Sequence, residues 1–258
     1  MANFVDEDYY LEVKLKQCMA TGQKDANGND FTIDTLRQAI FDAGMTIESH
    51  YKQCGRNEGL QPNEYFNENE YLLSKLNQLN STEGKTWTLA ELKETIANAG
   101  MIPAEHYEKY GCIEKDGNGN YLNPSNDFDT TTYYTQKLAL LQAEDPSWAG
   151  KSIDDVAAAI HNADMSPVSH YKDYGKAEAE VSGIELVGEV PEDRKVDTDA
   201  IDDGGDDGAH GEDLPIALID KHAQEFAQID PHLGKAPLVA NLLGHASAPP
   251  SCPAVSRA

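Results

Sequence analysis

Three times along the chain the same spaced set of residues returns. A sequence written this way must fold as copies that stack on one another, because a single copy cannot hide its own apolar stripe. The copies open at Val5-Asp-Glu-Asp-Tyr-Tyr10-Leu-Glu-Val-Lys14-Leu15, Phe66-Asn-Glu-Asn-Glu-Tyr71-Leu-Leu-Ser-Lys75-Leu76 and Phe128-Asp-Thr-Thr-Thr-Tyr133-Tyr-Thr-Gln-Lys137-Leu138. Each continues through a polar loop into Leu36, Ile40, Ala43, Gly44 and Met45, or Leu92, Ile96, Ala99, Gly100 and Met101, or Val156, Ile160, Ala163, Asp164 and Met165. Each closes on His-Tyr, at His50-Tyr51, His106-Tyr107 and His170-Tyr171, followed in register by Gly55 and Glu58, Gly111 and Glu114, or Gly175 and Glu178.

Within a copy the periodicity is helical. Tyr71, Leu72, Lys75, Leu76 and Leu79 fall on one face of a first helix. Thr88-Leu-Ala-Glu91 and Ser152-Ile-Asp-Asp155 are capping boxes that open a middle helix, and Gly44 or Gly100 ends it. Ser166 and Pro167 start a short third helix that Gly175 should stop. The expected fold is all-α: three helical repeats, each of two longer helices and one short one, followed by an acidic flexible extension. The boundaries are about 4–63, 64–125 and 126–180 within an array over 1–180, an acidic linker over 181–213, and a helical segment with a disordered tail over 214–258. The linker follows from composition, since Glu185 to Asp213 holds 12 acidic residues against Arg194 and Lys195. Leu214 to Phe226 reads as one amphipathic helix starting near Pro215.

Charge excludes some partners. The chain of 258 residues carries 45 Asp and Glu against 20 Lys and Arg, a formal net charge of -25, which repels a phosphate backbone and argues against nucleic acid. No apolar run is long enough to insert into a membrane, and the start of the sequence has no signal-peptide pattern. Cys18, Cys54, Cys112 and Cys252 lack metal or redox spacing and are expected to be free thiols.

No catalytic signature appears, and no catalytic or cofactor-binding residue is assigned. A nucleophile elbow, a phosphate-binding glycine loop and an HExxH pair are all missing. His50, His106 and His170 recur at one place in the copies, which fits a repeated packing task better than a site in triplicate; each ring N–H is expected to meet a nearby carbonyl. Calcium is the one cofactor considered. Asp25-Ala-Asn27-Gly28-Asn29-Asp30 and Asp116-Gly-Asn118-Gly119-Asn120 alternate oxygen side chains as the start of a calcium loop does, and Asp116, Asn118, Asn120 and Asp127 are the candidate ligands.

The run Met165-Ser-Pro167-Val-Ser-His170-Tyr171-Lys-Asp-Tyr174-Gly175 and its relative His50-Tyr51-Lys-Gln-Cys54-Gly55-Arg-Asn-Glu58-Gly59 resemble short H-Y-x-x-Y-G-x-x-E repeats of large bacterial surface and secreted proteins, including RTX-type proteins exported by type I secretion. Cys54 replaces a tyrosine of that pattern, Asp164 replaces a glycine, and the calcium-binding nonapeptides of RTX arrays are absent. The resemblance implies a non-enzymatic interaction or surface-structural module whose partner is a protein or a cell-envelope component. It also implies secretion or surface location without a signal peptide, the alternative being cytoplasmic. Calcium responsiveness, or an enzyme with its site between repeats, stand as the other functional readings.

Overall fold

A computed structural model of the chain describes residues 4–84 and 86–198. These residues are mostly helical, and their only β pairing is in isolated bridges such as Lys24 with Asp30 and Lys115 with Tyr121. The long helices begin where a side chain can satisfy the first free amides. Asp6 accepts from Tyr9 ahead of α1 (Glu7–Thr21), Asn67 from Asn69 and Glu70 ahead of α4 (Glu68–Thr82), and Asp129 from Thr131 ahead of α7 (Thr130–Glu144). Each buries one face: Tyr10, Leu11, Lys14 and Cys18 on α1, and Tyr71, Leu72, Lys75 and Leu79 at the same spacing on α4.

The middle helices are α2 (Ile33–Asp42), α5 (Leu89–Asn98) and α8 (Ile153–Asn162), each opened by a capping box. In α5 the Thr88 amide donates to Glu91 Oε2 at 2.8 Å while Glu91 N donates back to Thr88 Oγ1 at 3.2 Å. Gly44 and Gly100 then take the left-handed conformation that ends a helix, at φ 76° and 73°, and Asp164 does the same at φ 56° despite its Cβ. The short helices are α3 (Ile47–Gln53), α6 (Pro103–Lys109) and α9 (Pro167–His170).

Two sequence expectations need correction. Gly175 does not stop the third helix: a π-helical turn over Tyr171–Gly175 leads straight into α10 (Lys176–Ser182), with Gly175 itself right-handed at φ -62°. A glycine ends a helix only when it goes left-handed, and here its missing Cβ serves close packing instead. The acidic linker is not a loose tether over its first part. Leu186 and Val190 are buried, and residues 188–196 hydrogen-bond to Asn126 and Asp129. A charge count over a window averages away two well-placed apolar residues and an arginine that meets a buried acid. Residues 199–213, the helix expected from Leu214 and Cys252 lie outside the described residues.

The core forms around aromatic side chains. One cluster gathers Val5, Tyr10, Leu11, Phe31, Leu36, Ile40, Ile47 and Tyr51; a larger one joins Phe66, Tyr71 and Tyr107 to Phe128, Tyr133, Tyr134 and Val168; and Ile102 packs against both. Leu72, Leu79, Trp87, Leu92 and Ile96 fill the space between α4 and α5. The third segment also reaches back to the first two: Lys172 meets Asp6 at 3.5 Å, and the Tyr65 and Tyr171 rings pack edge to face at 5.4 Å.

Candidate functional site

The residues that recur meet inside the helices. Tyr10 Oη lies 2.7 Å from His50 Nδ1, Tyr71 Oη 2.6 Å from His106 Nδ1, and Tyr133 Oη 2.5 Å from His170 Nδ1. A tyrosine of the long helix thus reaches a histidine of the short one across the bundle. Each ring thus has a phenol at Nδ1, a partner that the sequence reading did not name. The recurring glycine explains why the tyrosine fits. A Cβ on Gly55 would stand 2.1 Å from Tyr10 Oη, and one on Gly111 would stand 2.1 Å from Tyr71 Oη. At Gly175 the nearest obstacle is the Tyr171 ring at 2.6 Å, with Tyr133 Oη at 3.2 Å.

One turn further along each long helix a lysine does similar work. Lys14 Nζ lies 2.6 Å from Glu58, Lys75 Nζ 2.7 Å from Glu114, and Lys137 Nζ 2.5 Å from Glu178. Both partners stand in register in the sequence. Their pairing was not foreseen, although a lysine four residues after each tyrosine and a glutamate three after each glycine recur together. Each pair ties the start of the segment to its end.

Burial dominates the electrostatics of these networks. The Tyr71, Tyr10 and Tyr133 phenols are pushed well above the ordinary tyrosine range, first by burial and then by the nearby glutamates. His106 is pushed down to about 3 by burial, with the Lys75 ammonium adding to the effect, and His50 and His170 are lowered for the same reasons. Each histidine is held neutral against a tyrosine hydroxyl inside its segment.

The candidate calcium residues divide. Asp116 Oδ1 accepts the amides of Asn118 at 2.9 Å and Asn120 at 2.8 Å, its Oδ2 receives the Asn120 side-chain amide at 3.1 Å, and Gly119 turns the chain at φ 87°. Asp127 stands apart, its amide donating to Ser125 Oγ at 3.3 Å. The Asp25 loop repeats the arrangement, with Asp25 Oδ1 accepting from Asn27 at 2.9 Å and Asn29 at 2.8 Å. N–H donors therefore converge on each aspartate, where a hard cation would need oxygens converging on a shared point. Among the described residues no group of three or more His, Cys, Asp or Glu could hold a metal ion. Asp116, Asn118 and Asn120 make a tight hairpin. Cys18 and Cys112 are buried free thiols, as expected.

One polar cluster does not repeat. After each His-Tyr the chain places Lys52, Glu108 or Lys172, and Glu108 feels both lysines. Glu108 lines a pocket of about 320 Å³ between α3 and α6, beside Phe4, Tyr51 and Ile102, where Lys52 bridges Glu48 at 2.7 Å and Glu105 at 2.8 Å. Burial lifts the Glu108 carboxyl to about 7, with Glu48 adding to the rise and the lysines opposing it. Sequence reasoning missed this cluster because its members belong to different segments. The break in the recurring sequence pattern at Glu108, an acid where the other two segments carry lysine, was the available signal. Among the described residues no helix is long and apolar enough to cross a membrane. No known protein family, curated protein or solved structure matches the chain.

Proposed function

We propose that the three segments are tandem copies of one all-α module, and that the chain is a non-enzymatic interaction or surface-structural protein of the bacterial secreted or cell-associated kind. The observation that carries the reading is the fate of the shared residues. Tyrosine, histidine, glycine, lysine and glutamate bond to one another inside each segment, so what the copies have in common is spent on holding helices together. Selection for binding then acts on the outward faces, where the copies differ. The strong negative charge favours a basic or polar partner surface, a protein or a cell-envelope component, and disfavours nucleic acid. Export accords with the acidic, cysteine-poor composition.

A second reading has one observation in its favour. Glu108, with a carboxyl near neutrality in a pocket between two segments, is the kind of group an acid–base site would use. One experiment separates the two. The full chain is immobilised and challenged with bacterial envelope and soluble fractions, and the same preparation is run through a broad hydrolase panel. Saturable capture of one partner without turnover supports the interaction reading. Turnover that Glu108→Gln abolishes, with no partner captured, replaces it. Assaying culture medium against cells tests export directly, and retention in the cytosol would remove that part.

A further inference from the structure

The ordered stretch beyond the third segment repeats a contact made at the two junctions before it. At the first junction the Asp6 amide donates to the Pro62 carbonyl at 2.9 Å, and Asn63 Nδ2 returns a bond to the Phe4 carbonyl at 2.9 Å. At the second, Asn67 N donates to the Pro124 carbonyl at 3.0 Å and Ser125 Oγ returns one to the Tyr65 carbonyl at 3.0 Å. The chain leading into each segment thus lies alongside the chain leading into the next. In the third segment Asp129 N donates to the Gly188 carbonyl at 3.0 Å, and Val190 N returns a bond to the Asn126 carbonyl at 2.8 Å. The same helix-cap amide is satisfied in the same way, although no further copy follows among the described residues.

We infer that residues 186–196 are a built-in end cap, an extended strap that occupies the place where the lead-in of a fourth copy would lie and so finishes the array. Pro62 and Pro124 each stand five residues before the N-cap of the next long helix; five residues after Gly188 comes Asp193, but there the Arg194 and Lys195 amides turn back to the Pro191 carbonyl and no helix begins. The strap has anchors of its own. Leu186 and Val190 are buried. Arg194 grips the fully buried Asp129 carboxylate with Nη2 at 2.6 Å and Nη1 at 3.3 Å, and the Asn126 side chain holds both backbone groups of Val196, at 2.9 and 3.0 Å. A terminal repeat needs such a closure, because its outer side has no neighbour to satisfy it.

Amide hydrogen exchange on the full chain tests the assignment. Arg194→Ala and, separately, Val190→Asp are expected to speed exchange at the Asp129 and residue-190 amides by roughly tenfold or more, while the Asp6 and Asn67 amides keep their protection. Lys195→Ala, which loses only ion pairs to the exposed Glu189 and Glu192, should leave all four unchanged. Adding a peptide of residues 184–198 to the Val190→Asp chain should restore protection at Asp129, because the surface accepts an extended segment. Unchanged exchange at Asp129 in both variants would overturn the cap. So would Arg194→Ala loosening Asp6 as much as Asp129, which would make the strap part of a common core.

Discussion

The second and third segments carry the same five recurring residues, yet they hold them differently. In the second, the Lys75 side chain is 2% exposed and its partner Glu114 19%; in the third, Lys137 is 10% exposed and Glu178 36%. His106 is buried where His170 is half-buried. Gly111 yields to the hydroxyl end of the Tyr71 ring, while Gly175 yields chiefly to Tyr171 inside a π-helical turn. Identical chemistry is thus buried to different depths according to what stands on either side. The middle copy has a neighbour at both ends; the last has a strap at one of them.

The largest expected difference between the segments is at the ion pairs. Lys75→Ala strands Glu114 in a mostly water-free setting, and chemical denaturation should register a loss of about 3–5 kcal/mol. Lys137→Ala should cost less, since the Glu178 side chain is 36% exposed against 19% for Glu114. Equal losses would mean that the two segments are not buried to different depths in solution. Next come the glycines. Gly111→Ala drives a Cβ into the Tyr71 hydroxyl and should cost about 1–3 kcal/mol, plus the Tyr71–His106 bond. Gly175→Ala meets a ring that can tilt and should cost less; the two melting temperatures decide.

A pH series sharpens the same contrast. The folded His106 has its pKa lowered from 6.5 to about 3, so below pH 6.5 the unfolded chain takes up a proton that the folded chain refuses. The stability this neutral ring provides is present above pH 6.5 and drains away as the pH falls toward 3. Wild type should therefore lose melting temperature between pH 7 and pH 4 more steeply than His106→Gln. The same comparison at His170→Gln, whose pKa is lowered less deeply in the protein, should give a shallower difference. Parallel curves for wild type and His106→Gln would deny that the ring is buried and neutral. The smallest effect is expected at Asp164, the one non-glycine residue at positive φ among the described residues: Asp164→Gly should stabilise by up to about 1 kcal/mol, measured by thermal melt.

Much of the architecture was legible because helix ends are local affairs. Thr88 with Glu91, Ser152 with Asp155, and Gly44 or Gly100 declare where the middle helices start and stop without help from distant residues. The histidines could be read as structural from their recurrence alone. Their partners could not, since Tyr71 and His106 are 35 positions apart and only the packing of α6 on α4 brings them together. Gly175 misled because a glycine's sequence position does not say which of its freedoms is used. The strap was hidden for a similar reason: Arg194 counted as one charge among many, while its worth depends on Asp129, 65 positions earlier and sealed from water. Asp116 was recognisable as a turn residue, because Asn-Gly turns are declared by adjacent residues.

The two Asn-Gly hairpins also bear on how the chain tolerates change. The one at Asp25 is bonded to itself, with Lys24 meeting its own Asp30, whereas the one at Asp116 is moored to α8 through Lys115 and through Tyr121, whose hydroxyl donates to Asp154 at 2.7 Å. The first is an interchangeable cassette, a natural place for a tag, a fluorophore or a grafted epitope. Its twin is a rivet, and lengthening it would pry the second segment from the third.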